Sequence, residues 1–449
     1  MGVYEKSINE TKLLSKKRTM NPGGNPKTMW YRRYTILLVL MLSFGFTQYD
    51  RLKTIVLTPY IIQDLNLSYV EAGLCMSAFF IGYTVLMFPS GILVDKYKWL
   101  RKKMLIFSVA FSGVMSVTMI FMQTFNDFFL RNLLFGIGDA FEWMPAAVTI
   151  AFWFPKRERA KAYGIYGVGS ALLMAVSPLM VRLITSSFGS WRWCFVFTGL
   201  LTPLMCLLLW YYVDPTPEDS KKITKEELEL ILESNSESLA DVSTSSIETP
   251  KISFTAGLKN INIWLAGVAY FLLGFGSVGV SSWLPKYIFD VYGLELAGLT
   301  LYLFITYMAG PFGLIVLPII SDRIGRRKPV IVISALISSC CILAIPYIPA
   351  AYVVLVSLFL LLVYYFFYFG MGAAVLPAYL SEVIGPRVAG TSISLPNTFQ
   401  QASRMFAPTL LAMAIVTTST GVSYNTMWLI CAACFFAGTL VFLLVKERT

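Results

Sequence analysis

The sequence predicts an all-α membrane protein: twelve transmembrane helices in two six-helix, pseudo-symmetric bundles around a central cavity. Three observations carry this. Of 449 residues, 57% are hydrophobic and 14% charged, with a mean hydropathy of +0.67; soluble domains average about 45–50% and about 25%. Twelve apolar runs reach the length of about 20 residues that a hydrocarbon core of about 30 Å requires. Lys and Arg concentrate on one side of those runs, the bias that orients membrane proteins.

The elements follow in order. A polar tail, 1–33, ends in Arg32 and Arg33, so the first apolar run must itself act as the targeting signal. The first bundle, 34–213, holds runs 34–58, 68–93, 103–123, 127–151, 160–185 and 192–213. Residues 214–259 break the pattern with Pro215, Pro217, an acidic stretch from Lys225 to Ser234 and a Ser/Thr-rich run, Ser243 to Ser246. This reads as a cytoplasmic linker, part helix and part disordered. The second bundle, 260–445, holds runs 260–284, 297–320, 329–348, 352–379, 388–416 and 424–445, and 446–449 form a short cytoplasmic C-terminus. With both termini on the cytoplasmic side of the plasma membrane, 29 of the 36 Lys and Arg lie on the inner side. The net charge of +11 is then a topology signal that needs no nucleic-acid partner.

Several chemistries are excluded. Histidine is absent, which removes Ser-His-Asp and Cys-His catalysis and His-ligated metals. The seven cysteines lie in or beside apolar runs and read as small hydrophobes. No Walker-type loop exists. The reading is of a monomeric, non-enzymatic protein without cofactor or metal.

The loop after the second run has Asp95 followed by Lys96, Lys98, Arg101, Lys102 and Lys103; the loop after the eighth has Asp322, Arg323, Gly325, Arg326, Arg327 and Lys328. Each puts an Asp at a helix end before a basic cluster, which suits a latch that grips facing helix ends. Asp95, Asp322, Arg323, Arg326 and Arg327 are therefore candidate gating residues.

This pattern resembles the major facilitator superfamily, whose loops after spans 2 and 8 are Asp-Arg-x-Gly-Arg-Arg-like. The second copy is intact from Asp322 to Arg327; in the first, Lys96 replaces the Arg. Finer features resemble the anion:cation symporter branch. Thr47-Gln48-Tyr49-Asp50-Arg51 resembles its span 1 motif, Gly136-Ile137-Gly138-Asp139 its acidic span 4, and Gln401 its span 11 amide, with Arg404 departing from the small residues usual there. The resemblance implies secondary transport of an organic anion such as a carboxylate or sugar acid.

Charges at membrane depth cost about 2.5–3.5 kcal/mol each and usually mark a pathway. Candidates are Asp50, Arg51, Arg131, Asp139, Glu142 and Arg404. Asp50 and Arg51 point about 100° apart on a helix and cannot neutralise each other. Asp139 and Glu142 are surface neighbours on theirs, and two adjacent acids in low dielectric do not both ionise cheaply. Static interhelical pairing, such as Arg131 with Asp50 or Glu142, is the plainer alternative. Trp143 and Pro145 imply an irregular helix near Glu142, and Lys53, Asp127 and Lys286 read as snorkelling at the outer boundary. Arg51, Arg131 and Arg404 suit an anion's carboxylate, with Tyr49, Tyr83, Tyr307, Gln400, Gln401 and Asn397 to read hydroxyls, while the aromatic run from Tyr364 to Phe369 reads as packing. Protonating Asp50 or Asp139 then makes the cavity positive, so anion and proton enter together. Glu142 is a further proton-coupling candidate. The alternative function is same-fold export of drugs by proton antiport, which predicts an acidic cavity.

Overall fold

The structure, a computed structural model, describes residues 32–218, 220, 222–224, 226–231, 261–349, 352–377, 379–380, 389–419 and 421–445. Residues 1–31, 232–260 and 446–449 lie outside this set, and so does what the sequence predicts for most of the tail, the Ser/Thr-rich linker and the C-terminus.

The first half contains α1 (Arg32–Asp64), α2 (Tyr69–Lys96), α3 (Leu100–Thr118), α4 (Phe125–Asp139), α5 (Trp143–Trp153), α6 (Lys156–Phe188) and α7 (Trp193–Tyr212). The second contains α8 (Ile261–Tyr292), α9 (Leu296–Ile324), α10 (Arg327–Ala344), α11 (Val353–Gly370), α12 (Ala389–Ala412) and α13 (Asn425–Leu443). α4 and α5 form one interrupted span. Among the described residues, ten spans are long and apolar enough to cross a membrane. α1 and α12 complete the twelve. They fail the same test because α1 carries Asp50, Arg51 and Lys53, and α12 carries Asn397, Gln400, Gln401 and Arg404.

Local chemistry sets the ends. α2 and α4 open with capping boxes, Ser68 with Glu71 and Thr124 with Asp127, which satisfy amides a helix start leaves unpaired. α9 stops at Gly325, whose φ of 70° is left-handed and favours glycine. Pro145, in the first turn of α5, has no N–H to continue the ladder from α4, so the span breaks at residues 140–142. Inside the run 352–379, α11 gives way to a wide helical turn at Met371–Val375, and the run 388–416 ends in a hairpin, Val416–Thr418 paired with Gly421–Ser423.

The helix pairings repeat from one half to the other. α1 packs on α6 as α8 packs on α12, α2 on α4 as α9 on α11, and α3 on α7 as α10 on α13. Across the halves, α2 meets α12 as α9 meets α6, and α1 meets α8. Each pair maps onto its equivalent by advancing six spans, the signature of a pseudo-two-fold repeat. Glycines permit the matched close approaches: a Cβ on Gly136 would strike the Phe79 carbonyl, and one on Gly313 the Phe366 carbonyl.

The halves are tied at the end opposite the start of α1. Tyr69 of α2 donates to Asp290 of α8 at 2.9 Å, and Ser77 meets Thr409 at 2.8 Å. Asp290 also accepts from Tyr424 at 2.5 Å and from Lys286 at 2.6 Å, both from its own half. Lys286 is therefore buried and paired, contrary to the snorkelling expected of it. Tyr69→Phe removes the bonds of this hydroxyl to Asp290 and Tyr424, which cross between the halves. A hydrogen bond to a charged group contributes about 1.5–3 kcal/mol, about tenfold or more in an opening equilibrium. Spin labels at the exposed positions Gln123 and Ser419, in a background without the native cysteines, should report a larger long-distance population for Tyr69→Phe, which loses both crossing bonds, than for Tyr424→Phe, which loses one.

Candidate functional site

A cavity of about 270 Å³ lies between the halves. From the first half, α1 contributes Gln48 and Arg51; from the second, α8 contributes Ser277, Ser281 and Ser282, and α12 contributes Gln400 and Arg404. Tyr307, Tyr365 and Tyr368 line it as well, and Tyr368 donates to Ser277 at 2.7 Å. The aromatic run from Tyr364 to Phe369, which reads in the sequence as packing, thus supplies two cavity tyrosines.

Arg51 lies over the Phe79 ring, 5.5 Å from its centroid, and interacts electrostatically with Asp139, Arg404 and Tyr83. Among the described residues, neither Arg51 nor Arg404 is ion-paired with a carboxylate. The Arg404 Nε is buried without a hydrogen-bond acceptor. Two guanidinium groups, one from each half, therefore share a cavity with hydroxyls and two amides, Gln48 and Gln400. Such groups can grip a planar carboxylate with parallel bonds.

Asp50 faces the other way, into the first bundle. It is 2% exposed and paired with Lys53, which is fully buried. Ser116 donates to Asp50 at 2.9 Å, and Lys53 donates to Ser116 at 2.7 Å and to Thr198 at 2.5 Å. The expected divergence of Asp50 from Arg51 is present, but Lys53 does not snorkel. The i,i+3 spacing of Asp50 and Lys53 is the sequence signal for their pairing.

Asp139 is buried at the end of α4 and Glu142 at the break beyond it. Glu142 accepts from Ser43 at 2.8 Å and is hydrogen-bonded to Thr47, both on α1. Arg131 does not join this group; it pairs with Asp127 one turn away, at 3.3 Å, near the start of α4. From that helix, Asn132 is the polar residue that shares a small recess with Arg51. Tyr49 and Gln401 are buried away from the cavity, and Asn397 is half-buried outside its lining. The cavity amide on α12 is Gln400.

Within the candidate latch, the ion pair joins the end of α9 to the start of α10. Asp322 pairs with Arg327 across its own turn at 3.4 Å, and Arg323 and Arg326 are exposed. The Asp95 side chain lies outside the described residues. Arg101 is buried and donates to the Val94 carbonyl at 3.2 Å, while Lys328 holds the Leu443 and Val445 carbonyls at 3.0 and 2.7 Å. Basic residues of both loops thus cap helix ends within their own halves.

Residues 36–408 match the family model of the Major Facilitator Superfamily. The chain is 27% identical to the probable sulfoacetate transporter SauU of Cupriavidus necator over 66% of each chain. It is 25% identical to the hexuronate transporter of Bacillus subtilis over 65% of each. The matched stretch spans about two thirds of these relatives' own length. Among solved structures, a bacterial homolog to the human lysosomal transporter Spinster, in an inward-facing and unoccupied conformation, superposes with a TM-score of 0.71. That match covers 95% of this chain and all of the other at 19% identity, a likeness of fold alone.

Proposed function

The chain belongs to the Major Facilitator Superfamily, and from that premise we propose that it moves a small organic anion, a carboxylate or sugar acid, across the plasma membrane by alternating access in symport with a proton. The observation that carries this is the pair of guanidinium groups, Arg51 and Arg404, facing one cavity without carboxylate partners within ion-pair reach among the described residues. Half-buried cations that face a cavity without an ion-pair partner are poorly compensated, and an anion is the ligand that relieves them. The names of the relatives, a sulfoacetate and a hexuronate transporter, agree in charge class. Drug export by antiport would call for an acidic cavity.

Coupling follows from charge. Lys53 already compensates Asp50, which leaves Asp139 as the carboxylate that acts on Arg51. With Asp139 ionised, Arg51 is partly neutralised and holds an anion weakly. With Asp139 protonated, both guanidinium groups are free for it. Proton and anion therefore load together, and loss of the proton expels the anion. With both termini cytoplasmic, the tied end is the outer one.

The test is uptake into proteoliposomes of a panel of carboxylates and sugar acids, with and without an inward proton gradient. Asp139→Asn imitates the protonated form. It should retain exchange of labelled for unlabelled substrate and lose gradient-driven accumulation. Accumulation that survives in Asp139→Asn would rule out this coupling.

A further inference from the structure

We infer that Glu142 carries a proton in this conformation and is the station that passes it from Asp139 toward the end of the molecule where α1 begins. The inference rests on the symport reading above and deepens it.

The first ground is isolation. Glu142 is 1% exposed, and among the described residues no Lys or Arg is ion-paired with it. An isolated buried carboxylate is neutralised rather than kept ionised. The titratable groups that face it are Asp139 from α4, Tyr83 from α2 and Tyr166 from α6, none of them a cation.

The second ground is a count of hydrogens. Glu142 Oε1 accepts from Ser43 at 2.8 Å. Thr47 Oγ1 is hydrogen-bonded to Glu142 Oε2 and also lies 3.0 Å from the Phe44 carbonyl, which can only accept. A hydroxyl has one hydrogen. When Thr47 donates to Phe44, the hydrogen between Thr47 and Glu142 comes from Glu142. The neutral acid is thus compatible with every hydrogen bond of the chain Ser43, Glu142, Thr47 and Phe44, whose carbonyl, inside α1, also has its helical amide donor.

The third ground is position. Asp139 and Glu142 flank the break in their span, and they meet α1 at successive turns, Asp139 acting on Arg51 and Glu142 bonded to Thr47 and Ser43. Transfer breaks the O–H bond of Asp139 and forms that of Glu142. Asp139 returns to the carboxylate and reclaims Arg51 from the anion. Glu142 then yields its proton to water at the end where α1 begins.

Glu142→Gln tests this, because its amide can accept from Ser43 and donate to Thr47 as the neutral acid does. The variant should fold as stably as the wild type, exchange labelled substrate at a similar rate, and lose proton-driven accumulation by about tenfold or more. Infrared difference spectra should show a protonated-carboxyl C=O band in the wild type that Glu142→Gln lacks. Wild-type accumulation in the variant, or a band that persists in it, would overturn the inference. Absence of any gradient dependence in the wild type would instead overturn the symport reading, and the infrared band would still decide whether Glu142 holds a proton.

Discussion

Arg51→Lys should lower uptake of the preferred anion by about ten- to a hundredfold, the equivalent of one lost charge-assisted bond at about 1.5–3 kcal/mol. The charge survives the substitution, so a site that needs only a positive field would barely notice. A site that needs a fork would. Arg51 stands where a planar group is useful: its guanidinium lies over the Phe79 ring, and its neighbours across the cavity are Arg404 and Gln400 on α12. An ammonium cannot reproduce stacking and two parallel bonds at once. Initial uptake rates, with the substrate-induced shift in melting temperature as a binding measure, check this. Near-normal values for the Lys variant would reduce Arg51 to a point charge.

The sequence reading recovers the scaffold because its physics is local. Hydropathy and charge bias report the spans, and Pro145 reports the break between Asp139 and Glu142, since a missing N–H acts within one helical turn. The site is less legible. Ranking intramembrane charges by depth groups Arg131 with Arg51, whereas the i,i+4 spacing to Asp127 decides its pairing. Gln400 and Gln401 are adjacent, and which of them faces the cavity depends on how α12, with Pro396 and Pro408, is rotated against α8 and α2. The Asp290 cluster draws on Tyr69, 221 residues away, and Tyr424, 134 residues away. No local pattern could join them; they meet only because the halves close there.

Lys53→Ala should be the most destabilising of the substitutions considered, at about 3–5 kcal/mol, the usual cost of breaking a buried ion pair by removing one partner. Lys53 is fully buried, and it donates to Asp50, Ser116 and Thr198 while lying 4.6 Å from the centroid of Phe195. Without it, Asp50 keeps only the Ser116 hydroxyl for a charge sealed inside α1, α3 and α7. Asp50→Asn makes the reciprocal error and strands Lys53. The double variant Asp50→Asn, Lys53→Met removes both charges and fills the lysine's stem volume, so it should regain most of the lost stability. Thermal unfolding in detergent measures all three. The double variant also separates Asp50 from Asp139, two of the three acids that the sequence alone offers for coupling. If the pair only holds the first bundle together, the stable double variant still accumulates anion against a gradient, while Asp139→Asn does not. A stable double variant that exchanges substrate but cannot accumulate it would return Asp50 to the proton pathway.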